Sequence, residues 1–304
     1  MPEGDTVWRA CRQLDEALAG KVLTRAELRV PRHATADLIG WTVTEVRPRG
    51  KHLLIRLEAP EGTGADALTL HSHLMMEGIW QIDGELMRGS DLSGTRRAMH
   101  TARIVLEAAP PDASPDDPVT RAIGFEVQQV RLLPRRSESE LVGHLGPDLL
   151  DPDWSTELRD EAARNLMADP DRPIGNALLD QRLLAGVGNV YRSELCFMRR
   201  LHPAAPAQEL DDPAGMVDLA QRLLELNKDR TTRITTGGML GRDGDLWVYG
   251  RAGRQCRRCR TRLQRGELAE PGIEGSEPRV IVTCPRCQGP GPRATRIPSR
   301  ARNH

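Results

Sequence analysis

Two Cys-x-x-Cys pairs, Cys256/Cys259 and Cys284/Cys287, stand 24 residues apart near the end of this chain. Each pair suits a tight knuckle that turns both sulfurs toward one point, so two knuckles can supply four thiolates to one tetrahedral ion. The spacing predicts a hairpin closed over a single structural Zn2+, with PRVIVTC (278–284) as the strand entering the second knuckle. Four thiolates leave no coordination position open, so the ion would hold structure and perform no chemistry. A hairpin this short buries no core of its own, and metal binding would supply its folding free energy. A redox dithiol is the competing reading, disfavoured because two such pairs occur together. Cys11 and Cys196 fall inside helical patterns, where cysteine behaves as a small buried apolar group.

Arginines crowd the same stretch: Arg251, Arg254, Arg257, Arg258, Arg260, Arg262 and Arg265, with Arg279 five residues before Cys284. From Lys228 onward the chain carries 17 Lys+Arg against 7 Asp+Glu, and since the whole is balanced at 43 of each, the preceding body is acidic. A basic end on an acidic body suits a polyanion contact made at that end, with phosphates as natural partners. A solvated basic tail is the blander alternative. No run of about 18 apolar residues occurs, so neither a membrane span nor a membrane partner is expected. The polar start MPEGDTVWRA lacks the apolar stretch of a signal peptide, which points to a cytoplasmic protein.

The texture of the chain changes three times. Residues 6–18 place Val7, Ala10, Cys11, Leu14 and Leu18 at helical spacing, with Gly20 as a stop. Short alternating runs then follow to about 133: VLTRAELRV, TVTEVRPRG, HLLIRLEA, ALTLHSHL, GIWQID, ARIVLEA and EVQQVRLLP. They read as strands of an antiparallel sandwich or barrel, with PPDASPDDP (110–118) as a surface loop. From 155 to about 230 the period is helical again, in ELRDEAARNLM, IGNALLDQRLLAG, NVYRSELCFM and GMVDLAQRLLELNKD. A Gly-rich stretch (231–250) leads into the cysteine hairpin, and the final Pro/Gly/Arg-rich residues suit disorder.

In LLAGVGNVYRSEL (183–195), small residues separate two apolar helical segments and Asn189 can cap the second. The exposed N–H groups of such a helix start can hold a phosphate, although an ordinary core corner has the same pattern. At the beginning of the chain, methionine before proline is commonly trimmed, which would leave Pro2 with a free secondary amine. An α-amine is less basic than a lysine amine, roughly 8 against 10, so more of it is neutral at pH 7. Attack by a secondary amine on C1′ of a deoxynucleotide gives an iminium that cannot shed its charge by losing a proton from nitrogen. That electron sink permits base loss and then elimination of the phosphates. Glu3 is placed for proton transfer, and Lys51, in RGKHLLI (49–55), supplies a cation.

Taken together, MPEG at the start, RGK at 49–51, GVGNVYRSE at 186–194 and the four-cysteine hairpin resemble the formamidopyrimidine-DNA glycosylase/endonuclease VIII family across about residues 1–288. The resemblance implies an α+β multidomain fold: an N-terminal helix with a two-layer antiparallel β-sandwich, a helix–two-turns–helix domain and a C-terminal zinc-finger hairpin. The expected divisions are a catalytic sandwich domain over 1–135, a linker over 136–153, a helical domain with its Gly-rich loop over 154–250, the finger over 251–288 and a disordered tail over 289–304. It also implies a bifunctional DNA glycosylase/AP lyase of base excision repair that acts through a Pro2 Schiff base and cleaves by β/δ-elimination. The partner would be double-stranded DNA containing damaged bases or abasic sites, bound by a monomer that associates with the nucleoid. By the same resemblance Glu3 protonates the sugar ring oxygen, while Lys51, Asn189 and Arg279 clamp phosphates around the lesion. An extruded nucleotide leaves a gap. HLMMEG (73–78) matches the family's filling loop, making Met76 the wedge with Met75 beside it; burial of both methionines in the core is the alternative.

The chain departs from the family in three places. Gly4 favours the endonuclease VIII-like branch, whose usual lesions are oxidised pyrimidines, but Asp5-Thr6 stands where Pro-Glu is common. The second family carboxylate is therefore absent or moved to Asp5. FEVQQVRLL (125–133) has no clear match to the Arg-Phe pair that reads the opposite base in the other branch. The cysteine hairpin is also longer than usual. A non-catalytic damaged-DNA-binding protein and a zinc-ribbon adaptor for protein partners are the alternative readings.

Overall fold

The computed structural model describes residues 2–86, 98–238, 245–271 and 277–289. The expected C-terminal tail therefore lies, but for residue 289, outside the described residues. The chain opens with α1 (Gly4–Leu18), whose Val7, Cys11, Leu14 and Leu18 are buried in one stripe. Eight strands follow: β1 (Val22–Leu28), β2 (Thr42–Arg49), β3 (His52–Glu58), β4 (Leu68–His73), β5 (Ile79–Leu86), β6 (Ala102–Ala109), β7 (Val119–Phe125) and β8 (Gln128–Pro134). Every pairing is antiparallel, in the order β5-β7-β6-β1-β2-β3-β4-β8. Between β1 and β2 the only registered pair is Val22 with Thr42, so the ribbon folds there into two four-stranded layers. Their inner faces meet in one core, with Leu23, Ile104 and Leu106 from one layer, Val43, Ile55 and Leu70 from the other, and the α1 stripe closing an edge.

The strand β7 was not among the runs expected from the sequence. It is central and buried almost throughout, so it lacks the polar alternation of a half-exposed strand. Its Arg121 is buried and paired with Glu107 of β6 at 2.8 Å, which lets a charged residue occupy a core strand.

The second half holds α2 (Glu138–Val142), α3 (Thr156–Leu166), α4 (Ile174–Ala177), α5 (Asn189–Met198) and α6 (Pro213–Asn227). Ser155 caps α3, and Asp212 caps α6 with Pro213 in its first turn. The sequence suggested a long helix over IGNALLDQRLLAG; only one turn, α4, forms, and turns carry the chain to α5. These turns bring Leu184 and Val187 into the helical core beside Leu178, Tyr191 and Leu224. Trp8 of α1 packs against the same core and joins the two halves. The stretch 136–153, expected as a linker, contains α2 and grips the sandwich: Asp148 accepts the Gly50 N–H at 2.6 Å, and Arg49 reaches Asp151 at 3.3 Å.

The last unit is a two-stranded antiparallel hairpin, β9 (Gln264–Leu268) and β10 (Arg279–Thr283). Leu263, Val282, Cys256 and Cys284 form its small core, which leans on Phe197 of α5 and on Val248. No helix among the described residues is long and apolar enough to cross a membrane.

Candidate active site

Glu3 is fully buried, and its carboxylate lies across the start of α5. It accepts N–H groups from Gly188 at 2.9 Å, Val190 at 2.7 Å and Tyr191 at 3.3 Å. These are the orphan donors of a helix N-terminus, where an anion is favoured by both hydrogen bonding and the helix dipole. Asn189 does not cap this helix. The half-in residue is Gly188, with no side-chain cap, and Glu3 caps the helix from across the domain boundary. The helix start expected to meet a phosphate is thus filled by the protein's own carboxylate. Gly188 is required there, since a Cβ would lie 2.4 Å from Glu3 Cδ. Gly4 is also a close-approach residue: its N–H bonds Gly186 O at 2.9 Å, and a Cβ would lie 3.0 Å from Gly186 Cα.

Asp5, in the first turn of α1, is buried as well. Arg233 grips it through Nε at 2.6 Å and Nη2 at 2.7 Å, and Nη2 also donates to Thr6 Oγ1 at 2.7 Å. The Tyr191 hydroxyl donates to Asp5 at 2.9 Å. Burial alone would lower the Arg233 guanidinium, but the Asp5 carboxylate outweighs it and holds the group raised. Tyr191 therefore serves both N-terminal carboxylates, Glu3 with its N–H and Asp5 with its hydroxyl. The unusual Asp5-Thr6 pair is thus the docking point of Arg233, which stands in TTRITTGG (231–238) with no local signal of this role.

Lys51 follows the tight turn at Gly50, which adopts φ +57 and whose Cβ would lie 2.9 Å from Ala185 Cβ. Asp148 fixes that turn from the other half of the molecule. The Lys51 side chain keeps partial solvent access, but its ammonium is densely surrounded by protein. Burial pushes it down to about 8 against the pull of Glu3, with Arg279 and Arg233 adding to the fall. Beside it His52 stacks on His71 at 5.1 Å and meets His73 edge-on at 5.2 Å. Burial and mutual repulsion hold His52 down to about 3, and burial holds His71 and His73 near 4, so all three are neutral at pH 7.

Arg279 opens β10 on its exposed face. Its neighbour Val280 is held by the fully buried Arg192 of α5, whose Nη2 donates to Val280 O at 2.6 Å. Nε and Nη1 of Arg192 are buried with no hydrogen-bond partner, as is the side-chain oxygen of Asn189. Such groups are costly unless water or a ligand completes them. Glu194, two residues after Arg192, accepts Trp247, Val248 and Tyr249 N–H groups at 2.7, 2.9 and 2.9 Å and ties residues 247–249 to α5.

Pro2, Asp5, Thr6, Arg233, Tyr249 and Met76 line one cavity of about 690 Å³. Met75 and Met76 are 36% and 56% exposed, which removes the core reading of both. The Met75 backbone sits in the left-handed region at φ 49, and its N–H bonds His73 Nδ1 at 2.9 Å. The four cysteine sulfurs lie within 4.8 Å of one another. Tetrahedral ligands about 2.3 Å from an ion stand roughly 3.8 Å apart, so this donor set fits a four-thiolate metal site. Two of the neighbouring arginines have other work than phosphate contact. Arg258 stacks over Phe197 at 4.4 Å, and Arg251 donates to Gln255 O at 2.9 Å.

Comparison with known proteins matches residues 1–129 to the formamidopyrimidine-DNA glycosylase N-terminal domain and 145–226 to the formamidopyrimidine-DNA glycosylase H2TH domain. The chain is 48% identical over 296 residues to a probable endonuclease 8 2 of Streptomyces coelicolor, covering 96% of each chain. It is 47% identical to the DNA-(apurinic or apyrimidinic site) lyase Nei2 of Mycolicibacterium smegmatis, covering 95% of this chain and 99% of that one. Among solved structures, Lactococcus lactis Fpg in complex with abasic-site DNA superposes with a TM-score of 0.70 at 22% identity, over 94% of this chain and 99% of the other.

Proposed function

This chain belongs to the formamidopyrimidine-DNA glycosylase/endonuclease VIII family, and from that membership we propose a bifunctional DNA glycosylase/AP lyase of base excision repair with Pro2 as its nucleophile. The observation that carries the reading is the placement of Glu3 on the start of α5, with Pro2 lining a cavity of about 690 Å³ beside it and the Lys51 ammonium within electrostatic reach of Glu3. After removal of Met1, the neutral Pro2 amine attacks C1′ as the base departs. The nitrogen–carbon bond forms and the glycosidic electron pair leaves with the base. Glu3, held on three N–H groups, transfers the proton that opens the sugar ring. The resulting iminium acidifies C2′, so β-elimination and then δ-elimination expel the two phosphates, and water releases Pro2.

Lys51 and Arg279 would contact the flanking phosphates, as would the amide of Asn189 and the orphan donors of Arg192. Met76, with Met75 beside it, would fill the gap left by the extruded nucleotide. Cys256, Cys259, Cys284 and Cys287 would hold one Zn2+, which when bound fixes the hairpin that carries Arg279. Gly4 and the similarity to proteins named endonuclease 8 favour the endonuclease VIII-like branch, from which we infer oxidised pyrimidines as substrates. The setting of this work is the cytoplasm, on nucleoid DNA, with the enzyme as a monomer.

Borohydride should trap the protein on a duplex containing 5-hydroxyuracil and on abasic DNA, and peptide mapping of the reduced adducts should find the sugar remnant on the Pro2 nitrogen. N-terminal mass analysis should find Met1 absent. A sugar remnant mapped to another residue, or Met1 retained on active protein, would exclude Pro2 as nucleophile. A panel of lesion duplexes tests the pyrimidine preference.

A further inference from the structure

We propose that the Asp5–Arg233 ion pair is a charge-cancelling positioning device for the Pro2 amine, which couples the nucleophile's protonation to docking of the segment that follows α6. The proposal rests on Pro2 being the nucleophile. Asp5 stands three residues after Pro2, and both line the same cavity as Arg233. A carboxylate beside an amine favours the ammonium form, which cannot attack C1′. Arg233 removes that penalty with a bidentate grip on both Asp5 oxygens and a third bond to Thr6. The Tyr191 hydroxyl completes the carboxylate, and the Tyr191 ring lies 5.5 Å beneath the guanidinium. Pairs of this geometry are strong and directional.

Both charges are felt within the site, since at Lys51 Arg233 favours the neutral amine and Asp5 the charged one. The remaining charges near Pro2 come from other elements. Glu3 precedes α1, Lys51 stands in the β2–β3 turn and Arg279 opens β10, and Glu3 and Arg279 both act on the Lys51 charge. Arg9, Arg230, Glu77, Glu126 and Asp245 line the rest of the cavity. Among the described residues, Arg233 pairs with Asp5 through both carboxylate oxygens. Arg233 also lies next to Ile234, whose N–H and C=O are both held by the buried Asn227 side chain at 2.7 and 3.0 Å. The arginine is therefore anchored to the end of α6 before it reaches Asp5. A chain with this segment undocked would present an uncompensated carboxylate beside a protonated amine.

The test is to follow the 13Cα shift of labelled Pro2 against pH in the full-length, Met1-processed protein, which reads the amine without DNA. Arg233→Gln leaves Asp5 uncompensated and should raise the amine's titration by about one unit. Asp5→Asn leaves Arg233 uncompensated and should lower it by a similar amount. The double substitution should return it to within about 0.3 unit of the wild type, by cancellation of the two effects. Arg233→Lys keeps the sign of the charge but loses the two-point grip; its titration should stay near wild type while the single-turnover rate on abasic DNA falls. Because the single variants move in opposite directions, either one that folds decides the matter. Superimposable titrations in folded Arg233→Gln or Asp5→Asn protein overturn the proposal. Borohydride trapping on the same samples keeps the two readings separate: a wild-type protein that gives no adduct on abasic DNA sinks the lyase reading, whereas the titration alone judges the ion pair.

Discussion

The ammonium of Lys51 is held in a place that does not suit a charge. Its titration near 8 means that folding opposes its protonation, because the same amine in an unfolded chain titrates near 10.4. The sign follows directly. The group costs nothing above its unfolded value, where both states are neutral. The cost grows as pH falls toward 8 and is complete below it. Lys51→Met should therefore melt at a higher temperature than wild type at pH 7, by an amount worth about 2 kcal/mol after allowing for its partial solvent access, with the difference vanishing near pH 11. A phosphate arriving beside Lys51 would restore its charge. DNA affinity should then fall between pH 8 and about 9.5 with a slope approaching one proton, and Lys51→Met should remove the slope. Calorimetric melts and binding isotherms across that range check both outcomes. At this scale the sequence spoke unevenly. Pro2, Glu3, Lys51 and the cysteines stand in short local motifs, so their candidacy was readable. Arg233 and Asp148 were not, because their meaning lies in partners 228 and 98 residues away.

Among the elements, α5 does the most to assemble the site. Its N–H groups hold Glu3, Tyr191 reaches Asp5, Arg192 reaches β10, and Glu194 holds residues 247–249. Gly188→Ala tests the first of these links. The new methyl would collide with the Glu3 carboxylate, and shifting a buried acceptor away from its donors leaves orphan groups worth about 1–3 kcal/mol. The expected result is a stable fold by circular dichroism with adduct formation on abasic DNA slowed at least tenfold, or about 1.4 kcal/mol; an unchanged rate would show that Glu3 works without this seat. Element types were legible where one face is wet. The stripe of α1, the helical period of α3 and α6 and most strands announced themselves through period and punctuation. Strand β7 did not, since both its faces are covered and its buried, ion-paired Arg121 interrupts the apolar run. The long helix expected over 174–186 failed because apolar residues there pack through two turns, and tertiary contact overrides a helical period.

At the scale of the whole molecule, the sandwich and the helical half are joined by Trp8, by Asp148 and by the two N-terminal carboxylates, while the cysteine hairpin is tied to α5 by packing on Phe197 and by the Arg192–Val280 bond. The hairpin is the unit with the least core of its own. Removing its ion with a strong chelator should cost DNA binding and adduct formation at least tenfold, while the main thermal transition of the sandwich and helical cores persists. Restoring zinc should recover both activities; survival of adduct formation in the chelated protein would detach Arg279 and its hairpin from the chemistry. The order of assembly has a further consequence. Glu3 and Asp5, early in the chain, find their partners only at 188–191 and at 233. Until those later segments emerge, the two carboxylates have no seats and the amine has no pocket. If Pro2 is the nucleophile as proposed, a half-made chain would lack the seats that assemble its site, and strand cutting would await a nearly complete polypeptide.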